Sequence, residues 1–145
     1  MRIRLLLIIA LLPACAPPPD LRIEDPWVRA PVPGQTVSAG YLVLVNDRDS
    51  DLTLETVTSP DVERIEVHTH LHDGDMMRMR RLDRLTVPAQ SRVIFAPGGH
   101  HLMVFGAAAE VDALTLVFGF ADGTKLAGTF EVRGLARPER ATPPE

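Results

Sequence analysis

The chain has 145 residues, of which 46% are hydrophobic and only 5% aromatic, and its formal net charge is -4. This length suits a single domain with its own hydrophobic core. The acidic balance argues against nucleic acid as a partner, because contacts to phosphates require clustered Lys and Arg. The one basic cluster is Arg78, Arg80, Arg81 and Arg84, which we interpret as a solvated strand face.

Residues 1–14 have the features of an export signal peptide. After a short basic start, the apolar stretch 5–12 is too short to span a bilayer as a helix but suits the core of a signal. It is followed by Pro13-Ala14-Cys15, which resembles a bacterial lipoprotein cleavage box. We therefore predict cleavage before Cys15, lipid attachment to its thiol, and a membrane-anchored lipoprotein in the periplasm. Plain secretion with cleavage nearby is the alternative.

The cysteine content bears on both compartment and chemistry. Cys15 is the only cysteine, so it cannot form an internal disulfide, and a lipidated thiol cannot bind a metal. The folded part of the chain then has no thiol, which fits an oxidising compartment.

Proline-rich segments suggest where the domain begins and ends. Residues 15–22 contain three consecutive prolines and are predicted to form a stiff tether between lipid and domain. Residues 136–145 hold three more prolines and are predicted to be a disordered tail. The intervening residues 23–135 are expected to form the folded domain.

Within this domain, short segments alternate between apolar and polar residues, and Gly and Pro separate them. The predicted strands cover 37–46, 52–57, 62–70, 76–82, 92–96, 100–105 and 114–120, with a returning strand through 126–132 after the Asp122-Gly123 turn. No stretch has a long helical period. This pattern predicts an all-β sandwich or barrel.

Histidine and methionine are concentrated in two windows, 68–79 and 100–103. They hold all five histidines and every methionine except Met1. The histidines are His68, His70, His72, His100 and His101, and the methionines are Met76, Met77, Met79 and Met103. Such clustering indicates a shared role rather than random placement.

Strand alternation groups these side chains by face. His68, His70 and His72 share one face of their strand, Met77 shares a face with Met79, and His101 shares a face with Met103. Met76 and His100 point the other way, so we interpret them as packing or surface residues. The remaining groups can converge from neighbouring strands.

The ligand chemistry of this set favours one metal. Thioether sulfur is soft and binds Mg²⁺ or Ca²⁺ poorly, and zinc sites rarely use Met. Cu(I) is soft and accepts imidazole together with thioether. Met77 and Met79 are alternatives for one position. His70 and His72 either supply further nitrogen, for example to a second ion as Cu(II), or are solvated.

The segment from His68 to Met103 resembles the periplasmic copper chaperone family known as PCuAC. The family signature is a His, ten residues, a Met, twenty-one residues and His-x-Met, and His68, Met79 and His101-Leu102-Met103 satisfy it. The flanking Ala96-Pro97-Gly98-Gly99 also matches, and the resemblance extends over residues 23–133. One departure is His72, where members often carry Met.

The resemblance implies a cupredoxin-like antiparallel β-sandwich or Greek-key barrel with an exposed Cu(I) site. His68, Met79, His101 and Met103 would be the ligands. It further implies delivery of copper to a cytochrome c oxidase subunit, sometimes together with a Sco-type thiol protein. A lipid anchor, which is not universal in the family, suggests delivery along a membrane surface.

Other classes of function fit the residues less well. An enzyme is not expected, because no Cys nucleophile remains and no serine lies in a nucleophile-elbow context. A blue-copper electron carrier needs a Cys thiolate ligand. A metal-free adhesive sandwich and a copper buffer without a dedicated acceptor are the alternatives.

Overall fold

The computed structural model describes residues 20–73, 76–107 and 111–134, with the backbone alone at 72, 73 and 76. In these ranges the chain forms ten β-strands. They are β1 (Leu21–Arg29), β2 (Val37–Asn46), β3 (Leu52–Thr58), β4 (Arg64–Asp73), β5 (Met76–Leu82), β6 (Leu85–Val87), β7 (Ser91–Phe95), β8 (His101–Phe105), β9 (Ala113–Phe120) and β10 (Lys125–Arg133). A helix long and apolar enough to cross a membrane is not found in this part of the chain.

All ten strands belong to one curled sheet. The order is β5-β4-β8-β2-β1-β10-β9-β3-β6, and β7 pairs with β2 beside β8. Strands β3 and β4 approach each other without forming a ladder, so the sheet nearly closes into a barrel. The predicted all-β class is confirmed. Among the described ladders, β1 with β10 is the one parallel pair.

The core follows the alternation seen in the sequence. On β9, the side chains of Leu114, Leu116 and Phe118 are buried and their neighbours are more exposed. On β8, Leu102 and Val104 are also fully buried. Each such side chain contributes about 1.5–3 kcal/mol when removed from water. Because these residues occupy the inner face of β8, the residues between them must face outward.

Two strands were not predicted. β1 contains Pro26 and a register shift between Glu24 and Trp27, with Asp25 at a φ of 48°, so no regular alternation marks it as a strand. β6 has only 3 residues, which is too short to show a period. The predicted tether, residues 15–22, extends two residues into the folded domain. Its last two residues belong to β1, and Leu21 is part of the core.

Several predictions lie outside the described residues. These are the signal peptide over 1–14, the lipidated Cys15 and the tail over 136–145. They stay predictions.

The long strand β2 positions the candidate site. Its first half pairs with β8, and its second half pairs with β7 along the same edge. The chain between β7 and β8 makes a tight turn in which Gly98 has a φ of 82° and the Gly99 N–H donates to the Ala96 carbonyl. His101 begins β8 directly after this turn.

Candidate metal centre

The ladder between β4 and β8 brings the two His/Met windows together. His68 lies directly opposite His101, and their ring centroids are 5.9 Å apart. Glu66 lies opposite Met103. Since directly opposite residues of an antiparallel pair share a face, all four side chains lie on the outer face of the sheet.

The β4–β5 ladder adds Met77 and Met79, which belong to the first window, to the same face. His70 lies opposite Met79, and His72 lies opposite Met77. β5 is the edge strand of the sheet, and Met79 and Met77 are 54% and 58% exposed. The strand register therefore places these histidines and methionines on one common face, as the sequence predicted.

A cavity of about 320 Å³ opens beside this face. His70, Met79, His101 and Met103 contribute to its lining, together with residues of β1, β2 and the loop between them. His68, which the family signature names as a ligand, does not line this cavity. The structure thus gathers three of the four expected ligands around one space and places His70 there with them.

His101 is the most enclosed of the candidate ligands, at 6% exposed. Burial lowers the pKa of its imidazole; the hydrogen bond to the Gly99 carbonyl opposes this, and the neighbouring His70 and His68 lower the pKa further. Nδ1 donates to the Gly99 carbonyl at 3.1 Å. This leaves the lone pair on Nε2, so His101 is held as a neutral imidazole ready to bind a metal.

His68 is oriented by a carboxylate. Its Nε2 donates to Glu66 Oε2 at 2.9 Å, and its buried Nδ1 has no hydrogen-bond partner among the described residues. Glu66 also forms ion pairs with Arg64 at 3.0 Å and Arg81 at 3.4 Å. The hydrogen bond from His68 lowers the pKa of Glu66, and both arginines lower it further against the effect of burial. Such a carboxylate–histidine pair fixes which ring nitrogen is free for a metal, here Nδ1.

Two further histidines have buried Nδ1 atoms without hydrogen-bond partners in the described ranges: His70 and His100. His70 lies on the candidate face, 5.0 Å from the His101 ring centroid. His100 packs against Phe95, at 6.0 Å between ring centroids, and does not line the cavity. This agrees with its interpretation as a packing residue. For His72 and Met76 the structure describes the backbone alone.

The donor set discriminates between metals. Among the described residues, no three His, Cys, Asp or Glu side chains come together as a metal site. A metal site built from the described side chains of this face would therefore draw on thioether sulfur as well. Two imidazoles with Met79 and Met103 suit Cu(I), which tolerates few and soft ligands, and do not suit the hard cations.

Glu66 and the cavity wall were missed from the sequence. The alternation along β4 already places Glu66 on the face of His68 and His70, but it does not show that the Glu66 carboxylate accepts a hydrogen bond from His68. The wall could not be anticipated, because it comes from Pro31, Val32 and Val37 on or near strands that are distant in sequence.

Comparison with solved structures defines the class of domain. The copper-bound PCuAC domain from PmoF2 is 27% identical and aligns with a TM-score of 0.68 over 81% of this chain and 95% of the other. The solution structure of CuI-DR1885 from Deinococcus radiodurans is 24% identical, with a TM-score of 0.64 over 79% of this chain and 78% of the other, and supports the fold. The fold is therefore that of a PCuAC domain, and the resemblance noted in the sequence is confirmed.

The family model then places the chain more narrowly. The model of the LpqE-like lipoprotein family matches residues 21–132. The chain belongs to the LpqE-like family. A curated relative, the uncharacterized protein RP573 of Rickettsia prowazekii (strain Madrid E), is 28% identical over 122 residues, or 79% of this chain. The match spans 66% of that protein's length.

Proposed function

We propose that this protein is an extracytoplasmic copper chaperone that binds one Cu(I) ion through His68, Met79, His101 and Met103. It passes the ion to another protein and performs no chemistry of its own. The copper ion is the cargo, so the site has to bind it selectively and still release it. Soft neutral ligands at the edge of a sheet suit both requirements.

The observation that carries this proposal is the convergence of two imidazoles and thioethers from three adjacent strands on one outer face. Both imidazoles have a free nitrogen, because their other nitrogen is engaged by Gly99 or Glu66. A related PCuAC domain, that of PmoF2, is copper-bound. The buried Nδ1 atoms of His68 and His70 have no hydrogen-bond partner among the described residues, and both histidines lie on the strand face that carries the methionines, which favours a role in binding.

We further propose that the acceptor is the copper subunit of cytochrome c oxidase or a Sco-type protein. Lipid attachment at Cys15 would hold the domain at a periplasmic membrane surface, close to such acceptors. The match to a lipoprotein family supports the anchor. A second ion, bound as Cu(II) with nitrogen from His70 and His72, stays a prediction.

The experiment that tests the binding function is an anaerobic titration of the full-length chain with Cu(I) in competition with a chromophoric chelator. We expect one tightly bound ion per chain and a colourless complex. The absence of Cu(I) binding would refute the proposed function.

Transfer is tested by mixing the loaded protein with purified oxidase copper subunit and with a Sco-type protein, then separating the two and measuring copper in each. Movement of the ion to either acceptor supports a chaperone. Retention in the presence of both would indicate a copper buffer instead.

A further inference from the structure

His101 faces two histidines of β4 rather than one. His68 is its direct partner across the ladder, with 5.9 Å between ring centroids, and His70 is the diagonal neighbour at 5.0 Å. Both lie on the same strand face, two residues apart. A metal ion bound to His101 is therefore within reach of either ring.

The two β4 histidines differ in how they are held. His68 is tied through Nε2 to Glu66, itself fixed by ion pairs to Arg64 and Arg81. His70 has a buried Nδ1 without a hydrogen-bond partner in the described part of the chain, and it lines the cavity beside Met79. His68, which we call the inner histidine, is thus anchored by Glu66. His70, which we call the outer histidine, lies next to the exposed thioether of Met79 on the edge strand.

We propose that His70 is an exchange ligand, so that the domain has two overlapping Cu(I) positions that share His101. This inference rests on the proposed function and describes how its site releases copper. In the inner position the ion is bound by His68, Met79, His101 and Met103. In the outer position His70 takes the place of His68, and the other three ligands stay bound.

Movement between the positions is a ligand substitution. The bond from Cu(I) to His68 breaks as the bond to His70 forms, and the ion stays Cu(I) throughout. Both imidazoles bind as neutral ligands, so no electron or proton is transferred. Because Cu(I) accepts low coordination numbers, one ligand can be exchanged while the others remain bound.

The direction of release follows from exposure. The His68 side chain, which belongs to the inner position alone, is 13% exposed and does not line the cavity, whereas His70 does line it. Met79 beside His70 is 54% exposed, and Met77, further along β5, is 58% exposed. The outer position therefore opens to the cavity and to the edge strand, where a ligand of the acceptor can reach the ion. His70 lowers the barrier to transfer because it divides release into two steps. Cu(I) first exchanges His68 for His70, and the acceptor ligand then displaces the ion from the more open position.

The test compares the Cu(I) affinity and the release rate of the full-length variants His70→Ala, His68→Ala and His100→Ala. Affinity is measured by anaerobic competition, and release by stopped-flow transfer to an excess of a chromophoric chelator. His70→Ala should keep the affinity within about threefold and slow release about tenfold. His68→Ala should lose about tenfold in affinity, because His70 partly replaces it, and the double variant should lose more than the sum of the two. His100→Ala, the matched control on the other face, should change neither quantity.

An unchanged release rate in His70→Ala, with a folded protein by circular dichroism, would overturn the inference. So would an affinity loss in His70→Ala as large as that in His68→Ala, because His70 would then be an ordinary ligand. His70→Asn serves as a second variant should the alanine variant fold poorly. A wild-type chain that binds no Cu(I) would refute the proposed function itself and is recognised before any variant is compared.

Discussion

The two ends of β2 use polar side chains in opposite ways. At one end, Ala39 pairs with Met103 beside the candidate metal centre. At the other end, Asn46 pairs with Ser91 in a cluster of loops. The loop cluster consists of residues 46–51, 88–91 and 122–124.

In the loop cluster the polar groups bond to one another. The Asn46 side chain is fully buried, and its Nδ2 donates to the carbonyls of Ser50, Val87 and Pro88 at 2.9–3.1 Å. Its Oδ1 accepts from the backbone N–H of Arg48 at 3.2 Å. One amide side chain thereby joins two segments that are distant in sequence, residues 46–50 and 87–88, which is a structural role.

At the metal centre, hydrogen bonds orient the imidazole rings but engage only one nitrogen of each ring. His101 and His68 each have one nitrogen in a hydrogen bond, and the Nδ1 of His70 has no partner within the described ranges. The buried polar group of Asn46, with all its partners, serves the fold, whereas the oriented histidines on the face of the methionines, each with a free lone pair, are placed to bind a ligand. Substitutions at the two ends should therefore separate stability from copper binding.

The largest effect is expected for Asn46→Ala. The carbonyl of the buried Val87 loses this donor, the more exposed carbonyls of Ser50 and Pro88 lose it as well, and a cavity forms at a fully buried site. The free energy of unfolding should therefore fall by about 3 kcal/mol. Cu(I) affinity of the folded fraction should be unchanged. Urea denaturation measures the first quantity and anaerobic competition the second. The control is Arg48→Ala, because its ion pair to Asp122 is largely exposed and should contribute less than about 1 kcal/mol.

The next largest effect is expected at the other end of β2, beside the metal centre, where substitutions should weaken copper binding and leave the stability of the fold unchanged. His101→Ala and Met103→Ala should each weaken Cu(I) binding about 100-fold, which corresponds to about 2.8 kcal/mol. The fold should stay intact, because neither side chain belongs to the apolar core. Unchanged affinity in either variant would show that the ligand assignment is wrong.

A smaller effect is expected for Glu66→Gln. Gln can still accept a hydrogen bond from His68, but it lacks the charge that makes the ring a better ligand, so affinity should fall about tenfold. The matched control is Glu24→Gln, because Glu24 also lies between two arginines, Arg22 and Arg92, but contacts no histidine. Equal affinities in the Glu66 variant and the control would limit Glu66 to a structural role.

The same comparison shows how far the sequence can predict this molecule. Period-2 alternation predicted β2, β4, β5, β8 and β9 within a few residues, because one face of each strand packs on the core. It did not predict β1, whose bulge breaks the period, or the parallel pairing of β1 with β10. Pairing of distant strands depends on tertiary packing that local patterns do not encode.

For the site, the sequence predicted which residue types cluster, but not which of them meet. That His70, rather than His68, lines the cavity with Met79 depends on the register of β4 against β5 and on the ion pairs of Glu66. Neither is visible in a spacing pattern. The ligand identities therefore remain predictions that the variants above can test.

The smallest predicted effect concerns pH and the metal-free protein. Burial lowers the pKa of His101 from its usual 6.5, so the unfolded state binds more protons than the folded state between the folded pKa and 6.5. The free energy of unfolding should therefore fall as pH falls from about 6.5 towards the folded pKa of His101, because protonation favours the unfolded state there. Above pH 6.5 the titration of His101 should leave the free energy of unfolding unchanged. Urea denaturation of the wild type and of His101→Gln isolates this contribution, because Gln does not titrate. The stability difference between the two should shift against the wild type on going from pH 7.5 to pH 5.5. A difference independent of pH would mean that His101 is as easily protonated in the fold as in water, and its readiness to bind metal could then not be attributed to burial.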